Sequence, residues 1–248
     1  MALRAILFDK DGTLIDFDRT WYPVMAMLAA EAAPDDPAQA AHLLDIGGYD
    51  AGTGRFRAGS IIAAGTIVET VDLWYPELAG RDQAARQLLV DRFNHACVIE
   101  GAAHAVALPG VESALTALDA AGYHLGVATN DGAESAVATL RALTLLDRFS
   151  LVQGYDSVDR PKPAADQLHR FAAHVGCAPD AVAMVGDNVH DLEMARAAGA
   201  GLAVGVLSGT GDRSDLAPLA DIVLNSVADL PAFLHGGGAP GQQGRGRE

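Results

Sequence analysis

The sequence predicts an α/β fold, in which a parallel sheet is covered by helices on both faces and carries an inserted all-α module. Six short apolar segments alternate with helical patterns along most of the chain, and this alternation favours a parallel sheet. It is broken once, between residues 17 and 104, where four helical patterns follow one another. A chain of 248 residues that is half hydrophobic can bury one large core and has room for a second, smaller module.

Each predicted strand is a short apolar run bounded by turn residues, which is typical of strands buried in a parallel sheet. The first strand, RAILFD at 4–9, leads directly into a polar turn. The others, in chain order, are YHLGVAT (123–129), SLVQGY (150–155), AVAMVGD (181–187), GLAVGVL (201–207) and DIVL (221–224). Ligands of such sheets bind beyond the carboxyl ends of the strands, so the functional site is expected there.

Helical patterns account for most of the remaining chain. Those between the later strands are GVESALTALDAAG, ESAVATLRALTLLD, AADQLHRFAAHVG and DLEMARAAG, and several end at a glycine, as helices often do. Those of the insertion are RTWYPVMAMLAAEAA, PAQAAHLLDIG, GSIIAAGTIVETVDLWY and DQAARQLLVDRFNHAC, with no strand predicted among them. We therefore expect a core of residues 1–16 and 105–235, a helical module of residues 17–104, and a Gly-rich, disordered tail at 236–248.

Charge and composition exclude several classes of function. A formal net charge of −15 without any basic run disfavours binding to nucleic acid or anionic membranes. No apolar stretch is long enough to span a bilayer and no signal-peptide pattern is present, so we expect a cytoplasmic protein, either a monomer or a homodimer. Cys97 and Cys177 are far apart and lack a CxxC partner, which favours packing roles over a disulfide or a zinc site.

Polar residues cluster where four predicted strands end. These residues are Asp9 and Asp11 after the first strand, Thr129 and Asn130 after the second, Lys162 in the loop RPKP, and Asp187 and Asp191 after the fourth. Several carboxylates are tolerated in one place only with a cation, and oxygen ligands without His or Cys favour Mg²⁺. Carboxylates, one lysine and a hydroxyl also suit a phosphoryl group, whose negative charge the metal and the ammonium would offset.

Four motifs make the chain resemble the haloacid dehalogenase (HAD) superfamily: DKDGT (9–13), ATND (128–131), RPKP around Lys162, and GDNVHD (186–191). The resemblance covers about residues 1–16 and 105–230, and it implies a Rossmann-like core with a helical C1-type cap inserted at 17–104. The stretches LPGVESALTALDAAGYHLGVATND and GVLSGTG make the phosphoglycolate-phosphatase-like branch the most similar. This branch implies hydrolysis of a small phosphomonoester.

The resemblance also implies a role for each motif residue. Asp9 would be the nucleophile that forms an aspartyl-phosphate, and Asp11 the acid and base that protonates the leaving alkoxide and then activates water. Thr129 and the Asn130 backbone would bind phosphoryl oxygens, while Lys162 would neutralise charge and orient Asp9. Mg²⁺ would be held by the Asp9 carboxylate, the Asp11 carbonyl and Asp187, with Asp191 fixing a metal-bound water.

Particular residues disfavour some of the other reactions known in the superfamily that this chain resembles. Haloalkanoate dehalogenation needs neither a metal nor a second acid, so Asp11 and Asp187 count against it. Phosphonoacetaldehyde hydrolysis needs a cap lysine, and residues 17–104 contain none. A phosphosugar mutase of the β-phosphoglucomutase type would use the same core and stays open, as does a catalytically silent binding module, although the full set of aspartates and the lysine disfavours a silent module.

Three further expectations concern residues around the motifs. Arg55 and Arg57 lie in a glycine-rich loop of the insertion, where either could meet a substrate carboxylate or remain solvated. His190 is expected either to face solvent or to lie beside the metal ligands without binding the metal itself. Lys10, which lies between the two aspartates on a strand-like path, is expected to point away from them.

Overall fold

A computed structural model describes residues 2–78 and 80–236 of the chain. The described residues form two sheets. The six-stranded sheet is parallel throughout and has the order β5-β4-β1-β6-β7-β8, and the other sheet is a two-stranded antiparallel hairpin of β2 and β3. The strands are β1 (Ala5–Phe8), β2 (Tyr49–Asp50), β3 (Arg55–Phe56), β4 (His124–Ala128), β5 (Leu151–Gln153), β6 (Val182–Gly186), β7 (Leu202–Val206) and β8 (Ile222–Leu224). All six predicted core strands are therefore confirmed.

The described helices follow the same chain order. In the helical module, residues 17–104, they are α1 (Phe17–Ala32), α2 (Pro37–Gly47), α3 (Ile61–Ala64), α4 (Ile67–Trp74) and α5 (Gln83–Ala103). In the remainder of the chain they are α6 (Val111–Ala120), α7 (Ala133–Ala142), α8 (Asp166–His174), α9 (Val189–Ala198), α10 (Arg213–Leu216) and α11 (Leu230–His235). None of the helices in the described part of the chain combines the length and the apolarity needed to cross a bilayer.

The central strand β1 has both faces buried because its alternate side chains pack into two different clusters. Ile6 and Phe8 lie in a cluster with side chains of α6 and α7, whereas Ala5 and Leu7 lie in a cluster with side chains of α8 and α9. The sheet is thus covered by helices on both faces, as the sequence predicts. This double burial explains why β1 is continuously apolar rather than alternating.

The helical module differs from prediction in two places. The sequence predicts no strand within 17–104, yet Tyr49 pairs with Phe56 and Asp50 with Arg55 in the β2–β3 hairpin. The pattern predicted as one helix over 59–75 is two helices, because Thr66 and Glu69 form a capping box that starts α4 just after Gly65. The module is therefore not all-α.

The helical module has its own apolar cluster, which includes Trp21, Leu28, Val71, Trp74 and Phe93. The chain enters and leaves this region side by side, since the Asp16 amide donates to the Val106 carbonyl at 2.8 Å and Ile15 pairs with Ala107. The division of the chain into two domains stays a prediction. The tail predicted at 236–248 lies outside the described residues except for Gly236, which follows α11.

Candidate active site

Three neighbouring strands bring the motif residues to one edge of the sheet. β1 lies between β4 and β6, with Phe8 opposite both Val127 and Val185. Asp9, Thr129 and Asp187 are the residues that directly follow β1, β4 and β6, and all three are buried. Parallel pairing in this register is therefore what places residues from distant parts of the sequence together.

Lys162 joins the first and last motifs through two short ion pairs. Its Nζ lies 2.6 Å from Asp9 Oδ1 and 2.7 Å from Asp191 Oδ1, and all three side chains are nearly inaccessible to solvent. Burial alone would lower the pKa of Lys162, but Asp191 and Asp9 hold it above its usual value. Burial raises the pKa of Asp9 well above its usual range, against the opposing effect of Lys162. One ammonium is thus shared by two carboxylates, and it does not fully offset the effect of burial on Asp9.

Asp187 is fixed by donors from two loops. Its Oδ1 accepts from Thr13 Oγ1 at 3.3 Å, and its Oδ2 accepts from the Thr210 amide at 2.8 Å. The close approach requires glycine at position 12, since φ there is +80° and a Cβ would lie 2.6 Å from Asp187 Oδ2. Burial, and next the charge of Asp191, raise the pKa of Asp187 to about 7.

Asp9, Asp187 and Asp191 fit the predicted divalent cation. Each offers a carboxylate oxygen, these oxygens all lie within 4.8 Å of one another, and all three residues are buried. Oxygen-only ligands suit Mg²⁺ better than zinc or copper. The raised pKa values of Asp9 and Asp187 also indicate buried negative charge that an added cation would stabilise.

Asp11 stands apart from that group and is held by a different set of partners. Lys10 Nζ lies 2.9 Å from Asp11 Oδ1 and 2.8 Å from Oδ2, and Trp21 Nε1 donates to Oδ1. Thr129 Oγ1 lies 3.3 Å from Asp11 Oδ2, at hydrogen-bonding distance. The two aspartates of the first motif therefore have separate surroundings, with Lys162 at Asp9 and Lys10 at Asp11.

The expectation that Lys10 points away from the aspartates is wrong. The chain leaves its extended path after β1, because the Lys10 carbonyl accepts from the amides of Leu14 and Ile15 in a turn. The side chain is fully buried, with Nζ 3.1 Å from Asp131 Oδ2 and 4.8 Å from the centre of the Trp21 ring. Asp11 and Asp131 hold the pKa of Lys10 above its usual value although burial opposes them.

Asp131 is a site neighbour that the sequence interpretation missed. It follows Asn130 directly and looks like a helix-capping residue, but its side chain is only 12% exposed, and this partial burial raises its pKa. Its Oδ2 accepts from Ser135 Oγ at 2.8 Å as well as lying beside Lys10. The sequence does carry one signal for this part of the site, which is the rarity of lysine. The chain has two lysines, and both are buried in this site, where Lys10 is the partner of Asp131.

Two predicted site residues connect the sheet to the helical module. The carbonyl oxygen of Ala64, at the end of α3, accepts from Asn130 Nδ2 at 2.9 Å. The same oxygen lies 3.3 Å from His190 Nδ1, which must donate because a carbonyl only accepts. His190 therefore faces the helical module as well as the aspartate cluster, rather than solvent alone.

A pocket of about 670 Å³, including its open mouth, lies between the sheet edge and the helical module. The sheet side contributes all seven of the core residues predicted for the site: Asp9, Asp11, Thr129, Asn130, Lys162, Asp187 and Asp191. The module side contributes mostly apolar side chains from α1, α3 and α4. The arrangement suits a ligand with a charged end at the sheet and an uncharged part against the module.

Arg55 and Arg57 are placed elsewhere. Arg55 Nε lies 3.1 Å from Asp18 Oδ2, and its Nη2 donates to the Gly209 carbonyl in a separate cavity. Arg57 Nη1 lies 3.0 Å from Asp45 Oδ1. Neither belongs to the described lining of the pocket that holds Asp9, and their role in specificity stays a prediction.

Comparison with known proteins matches most of the chain to one family. Residues 3–199 match the model of the haloacid dehalogenase-like hydrolases. The phosphoglycolate phosphatase of Chromobacterium violaceum is 38% identical over 135 residues, 54% of this chain and 59% of that protein. The N-acetylmuramic acid 6-phosphate phosphatase of Pseudomonas aeruginosa is 29% identical over 200 residues, 80% of each chain. The chain thus spans only part of the curated relatives it matches.

A solved structure supports the same fold over nearly the whole chain. A haloacid dehalogenase-like family hydrolase from Streptococcus pneumoniae aligns with 93% of this chain and 98% of its own, with a TM-score of 0.69. The identity between the two is 20%, so the comparison speaks for the fold alone.

Proposed function

The chain belongs to the haloacid dehalogenase-like hydrolases, and on that premise we propose that it is a Mg²⁺-dependent phosphatase that hydrolyses a small phosphomonoester through an aspartyl-phosphate. The observation that carries the proposal is the buried set of Asp9, Asp187, Asp191 and Lys162, with Asp11 separately held beside them. When bound, Mg²⁺ would reduce the repulsion between the negatively charged phosphoryl group and these carboxylates. The names of the curated relatives make phosphoglycolate the first substrate to assay.

In the first step a carboxylate oxygen of Asp9 attacks phosphorus, and the bond from phosphorus to the alcohol oxygen breaks. Asp11 supplies the proton that this oxygen takes up as it leaves. The ammonium of Lys162, 2.6 Å from Asp9, orients the nucleophile and offsets the charge that accumulates on the phosphoryl oxygens.

In the second step water attacks phosphorus of the aspartyl-phosphate while Asp11 takes its proton. The bond from phosphorus to Asp9 breaks, which returns the Asp9 carboxylate and releases inorganic phosphate. Thr129 can donate its hydroxyl to Asp11 or to a phosphoryl oxygen, since it lies at hydrogen-bonding distance from Asp11.

Replacing Asp9 by Asn tests the nucleophile. The variant keeps the shape of the side chain but cannot form the acyl phosphate, so phosphate release with Mg²⁺ should fall by about 10³-fold or more. Phosphate release from a panel of phosphomonoesters, together with circular dichroism of the variant, is the measurement. Turnover equal to that of the wild type in a folded Asp9→Asn protein would remove Asp9 from the role of nucleophile.

A further inference from the structure

The pocket has two chemically different walls. The sheet wall carries five aspartates, namely Asp9, Asp11, Asp131, Asp187 and Asp191. The opposite wall, from the helical module, includes the apolar side chains of Phe17, Trp21, Met25, Ile61, Ile62 and Ile67. A phosphomonoester with its phosphoryl group at Asp9 would therefore direct its alcohol part toward apolar surface.

The cations near this pocket are already engaged. Among the described lining residues the only lysine or arginine is Lys162, and it is bound to Asp9 and Asp191. Lys10 lies behind Asp11 and is bound to Asp11 and Asp131. His190 also lines the pocket, and because its Nδ1 donates to the Ala64 carbonyl, only its Nε2 is left to meet a ligand.

Binding of a second anionic group of the substrate to this surface would be unfavourable. A carboxylate taken out of water needs a cation or several donors to compensate its lost hydration. The described side chains of the module wall that can donate are Trp21, Thr66 and Thr70, and they already donate to Asp11, Glu69 and the Thr66 carbonyl. The aspartates of the other wall repel a second anion. The side chain of Arg55 is 60% exposed and bonds Asp18 and the Gly209 carbonyl outside this pocket.

We propose that the substrate is a phosphomonoester of an uncharged and largely apolar alcohol, rather than a phosphorylated carboxylic acid. This inference rests on the proposed function, because it assumes that phosphate is released at Asp9. It names the class of leaving group that the module wall selects, and it differs from the substrate in the name of the Chromobacterium violaceum relative.

A matched pair of substrates tests the proposal. Isobutyl phosphate and phosphoglycolate have the same number of heavy atoms beyond the phosphate oxygen, with two methyl groups in place of two carboxylate oxygens. With Mg²⁺ and the full-length protein, kcat/KM for isobutyl phosphate should exceed that for phosphoglycolate by about 10-fold or more. Phenyl phosphate, a larger apolar ester, should also exceed phosphoglycolate.

The possible outcomes separate the two proposals. Phosphoglycolate hydrolysed as well as or better than isobutyl phosphate would overturn the substrate class and leave the phosphatase intact. Absence of phosphate release from all three esters, with Mg²⁺ present, would overturn the phosphatase proposal and the substrate class with it.

A cation introduced into the module wall provides the second test. Ile61 is only half-buried at the start of α3, so an arginine can be accommodated there. Ile61→Arg should raise the kcat/KM of phosphoglycolate relative to isobutyl phosphate by about 10-fold, whereas the apolar control Ile61→Met should retain the wild-type ratio. An unchanged ratio in Ile61→Arg would show that the leaving group does not meet this wall. Because each ratio compares two substrates on one protein sample, a partly unfolded variant does not distort it.

Discussion

At the scale of single residues, Lys10 gives Asp11 an environment that the rest of the carboxylate cluster does not have. Its ammonium touches both oxygens of Asp11 and also binds Asp131, with no exposure to solvent. A side chain held by an ammonium and the indole N–H of Trp21 has little freedom to rotate. We therefore expect Lys10 to position Asp11 for proton transfer to the leaving alcohol.

Replacing Lys10 by Met should reduce kcat/KM most for substrates whose leaving group needs a proton, since kcat/KM reports the first step and not the hydrolysis of the aspartyl-phosphate that both esters share. In the proposed mechanism an alkyl phosphate depends on Asp11 in that first step, so its kcat/KM should fall by about 10-fold or more. The phenolate of p-nitrophenyl phosphate leaves without a proton, so its kcat/KM should fall much less. Steady-state kinetics of both esters on the same preparation is the measurement.

The control for this variant is Arg86→Met, which removes another ion-paired cation. Arg86 Nε lies 2.6 Å from Asp72 Oδ1 in the helical module, and neither residue lines the pocket. Arg86→Met should leave the ratio of the two rates at its wild-type value. Equal losses on both esters in Lys10→Met would contradict the positioning role and indicate a general structural effect.

At the scale of elements, the break between α3 and α4 shapes the module wall of the pocket. Thr66 Oγ1 accepts from the Glu69 amide at 3.3 Å, and Glu69 Oε2 accepts from the Thr66 amide at 2.7 Å. These bonds cap α4 at Thr66, so that the helix begins at Ile67, and they satisfy amides that have no partner within the helix. Without this cap the first turn of α4, which carries Ile67 into the pocket, would lose its anchor.

Thr66→Ala should therefore destabilise the protein by about 1 kcal/mol, the usual effect of losing an N-cap side chain. The free energy of unfolding from urea titration measures this loss. Thr66→Ser retains a capping hydroxyl and should recover most of the stability. If Thr66→Ser is as unstable as Thr66→Ala, the lost methyl group rather than the cap is responsible.

The strands of the core could be predicted from sequence because burial on both faces makes them continuously apolar. The β2–β3 hairpin could not, since two-residue strands are too short to show a period of two. The split of the pattern over 59–75 was missed because Gly65 alone is tolerated in many helices, and the cap at Thr66 depends on a side-chain bond rather than on periodicity. At both places the secondary structure depends on local hydrogen bonds that the pattern of hydrophobicity does not show.

The part of the candidate site that lies at the ends of strands could be predicted from the sequence. Asp9, Thr129 and Asp187 come together because parallel pairing aligns the ends of three strands. Lys10 was predicted wrongly because strand alternation was extended two residues beyond Phe8, into a turn. The pairing of Arg55 with Asp18 joins residues 37 positions apart and has no signature in the sequence.

At the scale of the whole molecule, the buried carboxylates are expected to make stability depend on pH and on metal. The pKa of Asp187 is about 7 in the folded protein against an ordinary value of 3.8, because burial disfavours its charged form. Between these two values the folded protein holds a proton that the unfolded chain has lost. The free energy of unfolding without metal therefore falls as the pH rises from 3.8 to about 7, and Asp9 contributes with the same sign.

This dependence can be measured by urea unfolding in EDTA across that range of pH. The wild type should lose stability toward neutral pH, and Asp187→Asn, which cannot ionise, should lose less. A wild-type profile that is no steeper than that of Asp187→Asn would contradict the raised pKa of Asp187.

Mg²⁺ should reverse the loss, because the proposed site would hold it with the ionised carboxylates of the folded protein. Its effect on the thermal midpoint should be larger at about pH 8 than at about pH 5, where protons compete for the same oxygens. Differential scanning fluorimetry with and without Mg²⁺ measures this difference, and Asp187→Asn serves as the control with a reduced shift. An equal shift at both pH values would argue against a site made of these carboxylates.

The carbonyl oxygen of Ala64 has a consequence for how a ligand enters and leaves. It accepts from Asn130 Nδ2 and from His190 Nδ1, so a single backbone atom of the helical module is held by two separate loops of the sheet edge. Any movement that lifts α3 away from the sheet must break both hydrogen bonds at once. Because Asn130 follows Thr129 and His190 precedes Asp191, a group that rearranges either loop also acts on this oxygen. We therefore expect occupancy of the pocket and separation of its two walls to be coupled through this one peptide group.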